Sequence, residues 1–318
     1  MIRFATMNSQ LRRICVATTM FASALFGQPR GGPQPEFVRQ AQQMIREGKP
    51  EEALAIYRKE LAAAPDSPAA NNGAGTVLDL MGRGAEARRH FQKAIDAAPD
   101  GARKAAAERA MAMSFAFEGD CANAARYEQM VFDYQVSVKD SYQQGEIADE
   151  AARVCIDAGD LDAAAKWYKI GHDAGLQEPG IAPGRKDLWE FRWEHAQARI
   201  AARRGDRAEA RKHVAAARAV LDDMKAKDAG MAQQQEGFFA YLAGYVAYYA
   251  GEYQAALEEL QKANPNDPFF QCLIGMTYEK LGDKEKAMEA YRQAAGTTGH
   301  NPPAAFARPF ARKKLAGA

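Results

Sequence analysis

From Glu36 onward apolar residues recur at spacings of three and four, in blocks separated by short polar breaks. That period is the mark of amphipathic helices facing a core on one side. The blocks come in pairs: about 36–47 with 50–63, 68–81 with 84–97, 102–118 with 121–135, and 141–158 with 161–174. A Pro/Gly-rich loop, Gly175 to Asp187, follows, and then pairs at about 188–204 with 207–224, 233–250 with 253–263, and 269–281 with 284–295. A last basic amphipathic stretch runs from Ala304 to Leu315, with Asn301 as its expected N-cap and Pro just inside the helix.

Inside each pair the same landmarks return. Gly48, Ala53, Tyr57 and Pro65 are repeated as Gly82, Ala87, Phe91 and Pro99, each shifted by 34. Gly can end a first helix in the left-handed conformation, Ala one turn into the second lets two helix axes approach, and Pro stops the second helix. Further copies stand at Gly119 with Ala124, Gly159 with Ala164 and Tyr168, Gly205 with Ala210, Gly251 with Ala256 and Leu260, and Gly282 with Ala287 and Tyr291. The intervals between these glycines are 34, 37, 40, 46, 46 and 31, so the middle of the array must absorb insertions. In the third copy Tyr127 lies one position from the expected aromatic, which leaves the register of that second helix open to rotation.

A 34-residue unit with this spacing resembles the tetratricopeptide repeat (TPR), whose unit is two antiparallel helices. The resemblance implies an all-α, right-handed solenoid of about seven helix pairs over 36–300, closed by a C-terminal capping helix within 301–318 that covers the exposed flank of the last unit. It also implies an interaction scaffold with a protein partner rather than an enzyme. First helices of successive units would line a concave groove, and the family's inward positions fall on Arg192, His195, Arg199, Ala202 and Arg203 in the fifth unit. In the sixth they fall on Phe238, Tyr241, Tyr245, Tyr248 and Tyr249, and in the fourth on Glu146, Asp149 and Arg153. An aromatic strip beside an arginine strip suits an extended peptide with acidic side chains or a free carboxylate. Packing against neighbouring helices would use the same tyrosines, and Trp189 and Trp193 sit at core spacing. Two other readings remain: an envelope assembly subunit using its outer faces, and a glycan-binding protein stacking sugars on those tryptophans.

Composition narrows the partner and the compartment. Net charge is +1 over 318 residues, which gives no general positive field for nucleic acid. Arg12 and Arg13 precede an uncharged run from Ile14 to Phe26, too short for a membrane span, so residues 1–27 read as a secretory signal peptide and 28–35 as a linker. The mature protein is then expected to be periplasmic or secreted, with no transmembrane segment. Cys121 and Cys155 stand near consecutive turns; they either bridge, as an oxidising compartment permits, or pack as small apolar side chains. Cys272 has no partner in the sequence frame. The five histidines are scattered, and no motif for metal, phosphate or nucleophilic catalysis occurs, so no cofactor is expected.

Overall fold

The computed structural model describes residues 34–317 and is α-helical throughout them. The proposed signal peptide and residues 28–33 of the linker lie outside the described residues. The first four pairs are α1 (Glu36–Arg46) with α2 (Pro50–Ala63), α3 (Pro68–Leu80) with α4 (Gly84–Asp96), α5 (Gly101–Ala116) with α6 (Cys121–Ser137), and α7 (Ser141–Ala158) with α8 (Leu161–Gly175). Then come α9 (Pro183–Arg204) with α10 (Arg207–Lys227), α11 (Ala229–Tyr249) with α12 (Tyr253–Leu260), α13 (Pro268–Leu281) with α14 (Lys284–Ala295), and α15 (Pro302–Ala316). Helices pack on their neighbours in the chain, and first helices also touch across units, as α9 does with α11 and α11 with α13. This is an α-solenoid of seven helix pairs.

The landmarks explain the packing. All seven turn glycines have positive φ, between 73° and 93°, a conformation that costs other residues about 1–2 kcal/mol. Aspartate often follows and caps the next helix: Asp120, Asp160, Asp206 and Asp283 each accept a bond from a backbone N–H three residues on. The alanine of every copy is fully buried. The aromatic of the second helix lies against a glycine of a first helix: Tyr57 on Gly73, Phe91 on Gly75 and Tyr291 on Gly275, where a Cβ would collide with the ring.

Two expectations about helix ends are corrected, and the open register of the third unit is resolved. Helix α9 starts five residues earlier than expected, because Pro183 occupies its first turn, where a missing N–H costs nothing; the loop is correspondingly shorter. Helix α12 ends at Leu260, before the expected 263. Helix α6 is in register, not rotated: Ala124 is buried as in the other units, and Glu128 occupies the aromatic's place with no exposure. The cysteines at the ends of this stretch form a Cys121–Cys155 disulfide with Cα atoms 4.8 Å apart, whereas Cys272 is a buried free thiol.

Helix α15 does more than cap the last unit. Asn301 caps it as expected, its side chain accepting from the Ala304 N–H. One face packs on α13 and α14 through Ala307, Ala311 and Phe310. Its other face reaches α5 and α7, where Ala305 joins Ala112, Met113, Ala116 and Val154. A helix that touches first helices of units three, four and seven at once lies on the inside of the curve. Two polar ties fix it to the N-terminal wall. His300 Nε2 lies 2.8 Å from the Asp79 carboxylate, and Arg308 donates to the carbonyls of Leu80, Ala295 and Thr297.

Candidate binding site

Nine of the residues expected to line the groove come from two neighbouring first helices, α9 and α11, and differ in burial. Arg199, Tyr241 and Tyr245 are buried, with at most 4% exposure. Arg192, His195, Arg203, Tyr248 and Tyr249 are half-buried, and Phe238 is exposed. The start of α13 covers the aromatic strip. Tyr241 stacks on Phe270 at 4.3 Å between ring centres and meets Phe269 edge-on, while Phe269 in turn touches Phe306 of α15. Tyr245 and Tyr249 are 4.7 Å apart, with the Arg203 guanidinium over the Tyr249 ring.

The arginine strip is partly answered from α7. Arg192 pairs with Glu146 and, at 3.8 Å, with Asp149. Arg199 donates to the Tyr168 hydroxyl and lies 3.6 Å from Asp157. Burial pushes the Asp149 carboxyl up to about 7, against the pull of Arg192, and the Asp157 carboxyl up to about 6, against Arg199. Among the described residues Arg153 and Arg203 make no ion pair within 4 Å. The inward frame had already placed Glu146 and Asp149 here; what it missed was their consequence, that most of the basic strip is neutralised inside the fold.

What remains is a nest of hydrogen-bonding groups without partners. His195 Nε2, Arg199 Nε, Tyr241 OH and Tyr245 OH are all buried and make no hydrogen bond. They are close together: the His195 and Tyr241 rings stack at 5.6 Å, and the Arg199 guanidinium lies 5.7 Å from the Tyr241 ring and 5.1 Å from that of Tyr245. Burial and the neighbouring arginines hold His195 well below the usual imidazole range, so it is neutral. Burial likewise keeps the Tyr241 hydroxyl protonated. Arg Nε–H and Tyr O–H are donors, and a buried donor left unmade costs about 1–3 kcal/mol. Chemically the nest offers an acceptor-rich group several donors and one net cationic surrounding.

The two tryptophans suggested for sugar stacking divide as well. Trp189 is 1% exposed and wedged between Gly145 and Gly175, so it is core. Trp193 is half-buried against His172. No group of three or more His, Cys, Asp or Glu among the described residues could hold a metal ion, and no described helix is long and apolar enough to cross a membrane.

Residues 44–112 and 270–297 match family models of the tetratricopeptide repeat. None of the curated proteins matches this sequence. Among solved structures the chain is similar to the apo form of RapI, at 10% identity over 89% of this chain and 98% of that one, with a TM-score of 0.54. A tetratricopeptide repeat protein from Parabacteroides merdae is similar at 12% identity over 88% of this chain and 96% of that one, with a TM-score of 0.49. At these identities the likeness concerns the fold alone.

Proposed function

From the premise that the chain is a tetratricopeptide-repeat protein, we propose that it is a protein-interaction scaffold without catalysis of its own, and that its inner face at α9 and α11 receives a carboxylate of its partner. The observation that carries this reading is the nest: four buried groups with unused hydrogen bonds, under the influence of Arg153 and Arg203, neither of which has an ion pair within 4 Å among the described residues. A carboxylate presents about four acceptor positions and forms charge-assisted bonds, roughly twice as strong as neutral ones. One such group, a chain terminus or a single Asp or Glu, matches the nest better than a long acidic run, because Glu146, Asp149 and Asp157 already line the neighbouring wall. The half-buried Arg203, Tyr248 and Tyr249 and the exposed Phe238 form the rim along which the flanking extended segment lies. Tyrosine supplies contact area there at low cost in ordering.

We further infer that the mature protein works in the periplasm or outside the cell. The Arg12-Arg13 leader pattern and the Cys121–Cys155 bridge support this, since such bridges persist in oxidising compartments. The partner reading is tested by screening a peptide library in two forms, free C-terminal carboxylate and C-terminal amide. Peptides that bind the wild type as acids and lose at least about tenfold as amides, or on Glu→Gln exchange, support it. Binders indifferent to every carboxylate would defeat it.

A further inference from the structure

The nest is closed: Arg199, Tyr241 and Tyr245 are at most 4% exposed, so a partner's carboxylate reaches them only if a cover moves. Part of that cover is Phe269, which meets Tyr241 edge-on at 5.7 Å and lies 5.7 Å from the Arg199 guanidinium. Phe269 is backed in turn by Phe306 of α15, 4.9 Å away. Helix α15 has two unlike halves. Pro309 stands inside it and cannot bond back to the Ala305 carbonyl, which weakens the helix at that point. Beyond the proline, Phe310 meets Tyr291 edge-on, Ala311 is fully buried and Lys314 pairs with Glu279, so this half caps the last unit. Before it, residues 301–308 are tied to the N-terminal wall. The fully buried Asp79 side chain accepts a bond from Ser114 Oγ and holds His300, whose ring packs on Phe91 and Phe117. Arg308 adds its bond to the Leu80 carbonyl. Beside these ties the contact is incompletely packed. A cavity of about 250 Å³ is lined by Phe306 on one side and by Phe117 and Val154 on the other, and atoms that face a void lose dispersion partners.

We propose that residues 301–308 are a strap that pins Phe269 over the nest, and that a partner's carboxylate enters when the strap lifts from the N-terminal wall. This rests on the reading of the nest as a carboxylate site. The strap has a hinge at each end: Pro309, and the linker before His300, where Gly296 and Gly299 flank two threonines. Its tie to Asp79 sets how often it lifts, because opening leaves a buried carboxylate short of a partner. Peptide affinity is then lowered by the fraction of molecules that are closed. By linkage, a peptide that binds only the open form must itself hold the strap away. The fold contains its own reporter of this motion. Cys272 is a fully buried free thiol whose Sγ lies 3.4 Å from the Ala307 carbonyl, directly beneath the strap.

The test combines labelling of Cys272 by N-ethylmaleimide, followed by mass spectrometry, with titration of the mature protein by peptides in acid and amide forms. The double variant Asp79→Asn, His300→Ala releases the clasp without leaving a buried charge unpaired. It should be labelled at least about fivefold faster than the wild type, at a rate that low urea does not change, as local lifting requires. It should also bind the same acid peptides at least about fivefold more tightly. On the wild type, a saturating acid peptide should speed labelling and its amide should not. If the double variant does not fold, Phe306→Ala, which removes the backing of Phe269 directly, should give the same two changes. Carboxylate-dependent binding with the same affinity in wild type and variant would overturn the strap and leave the nest standing. Faster labelling without tighter binding would overturn it as well. Binding indifferent to the carboxylate in every protein would remove the nest and the strap together.

Discussion

Glu128 offers a test of how the repeat frame is built, because a carboxylate stands where the other units have a tyrosine, phenylalanine or aliphatic side chain. It is fully buried and neither oxygen has a hydrogen-bond partner. Glu128→Met keeps the length of the side chain and removes both polar atoms. Arg109 is not left uncompensated, since it retains two bonds to Glu150. Relief of an unpaired buried polar group amounts to about 1–3 kcal/mol on mutational scales, so the variant should be more stable by that order. The gain must also depend on pH. Burial, with Glu150 adding to it, raises the folded-state pKa of Glu128 well above the ordinary value. A carboxyl of that kind supports the fold fully below its unfolded pKa of about 4.3, and its contribution is lost as pH rises through the folded value. Urea unfolding followed by circular dichroism at pH 4.5 and 8 measures both: methionine should gain more over the wild type at pH 8. A methionine variant less stable than the wild type at pH 8, or a gain that does not change with pH, would refute this reasoning.

The same linkage applies to Asp149, whose carboxyl is raised from 3.8 to about 7 by burial; Asp149→Asn should therefore gain stability relative to the wild type as pH rises from 4 to 7, read from unfolding curves across that range. Replacing both Cys121 and Cys155 by Ala should lower stability by about 4 kcal/mol, the loop-closure value for a separation of 34 residues, measured by urea titration against the oxidised wild type. Trp189→Ala should cost about 3–5 kcal/mol, because the indole fills the space between two glycines that cannot close around the gap; thermal unfolding reads it.

The periodic part of this architecture was legible in the sequence. Gly48, Gly82, Gly119, Gly159, Gly205, Gly251 and Gly282 mark every turn, since each needs a backbone conformation that side chains disfavour, and Ala53 and its six equivalents mark every close approach of helices. Helix ends were read less well where a residue has two meanings: Pro183 breaks a helix from within but starts one from its first turn. The return of α15 was not legible at all. Its bond from His300 to Asp79 spans 221 residues, and no local periodicity encodes which inner wall a terminal helix meets. Burial at the candidate site was likewise hidden. The inward frame names Tyr241 and Arg199 correctly as neighbours, but Phe269 and Phe270, which cover them, belong to the following unit.

The central claim, that the inner face of α9 and α11 holds a partner's carboxylate, is tested most directly by the double variant Tyr241→Phe, Tyr245→Phe. It removes only the two unpartnered hydroxyls, without opening a cavity. If those hydroxyls serve a ligand, the variant should be as stable as the wild type or slightly more so, since buried donors without partners are lost, while its affinity for carboxylate-bearing peptides falls by about tenfold or more. Unchanged peptide affinity in a folded variant would contradict the account.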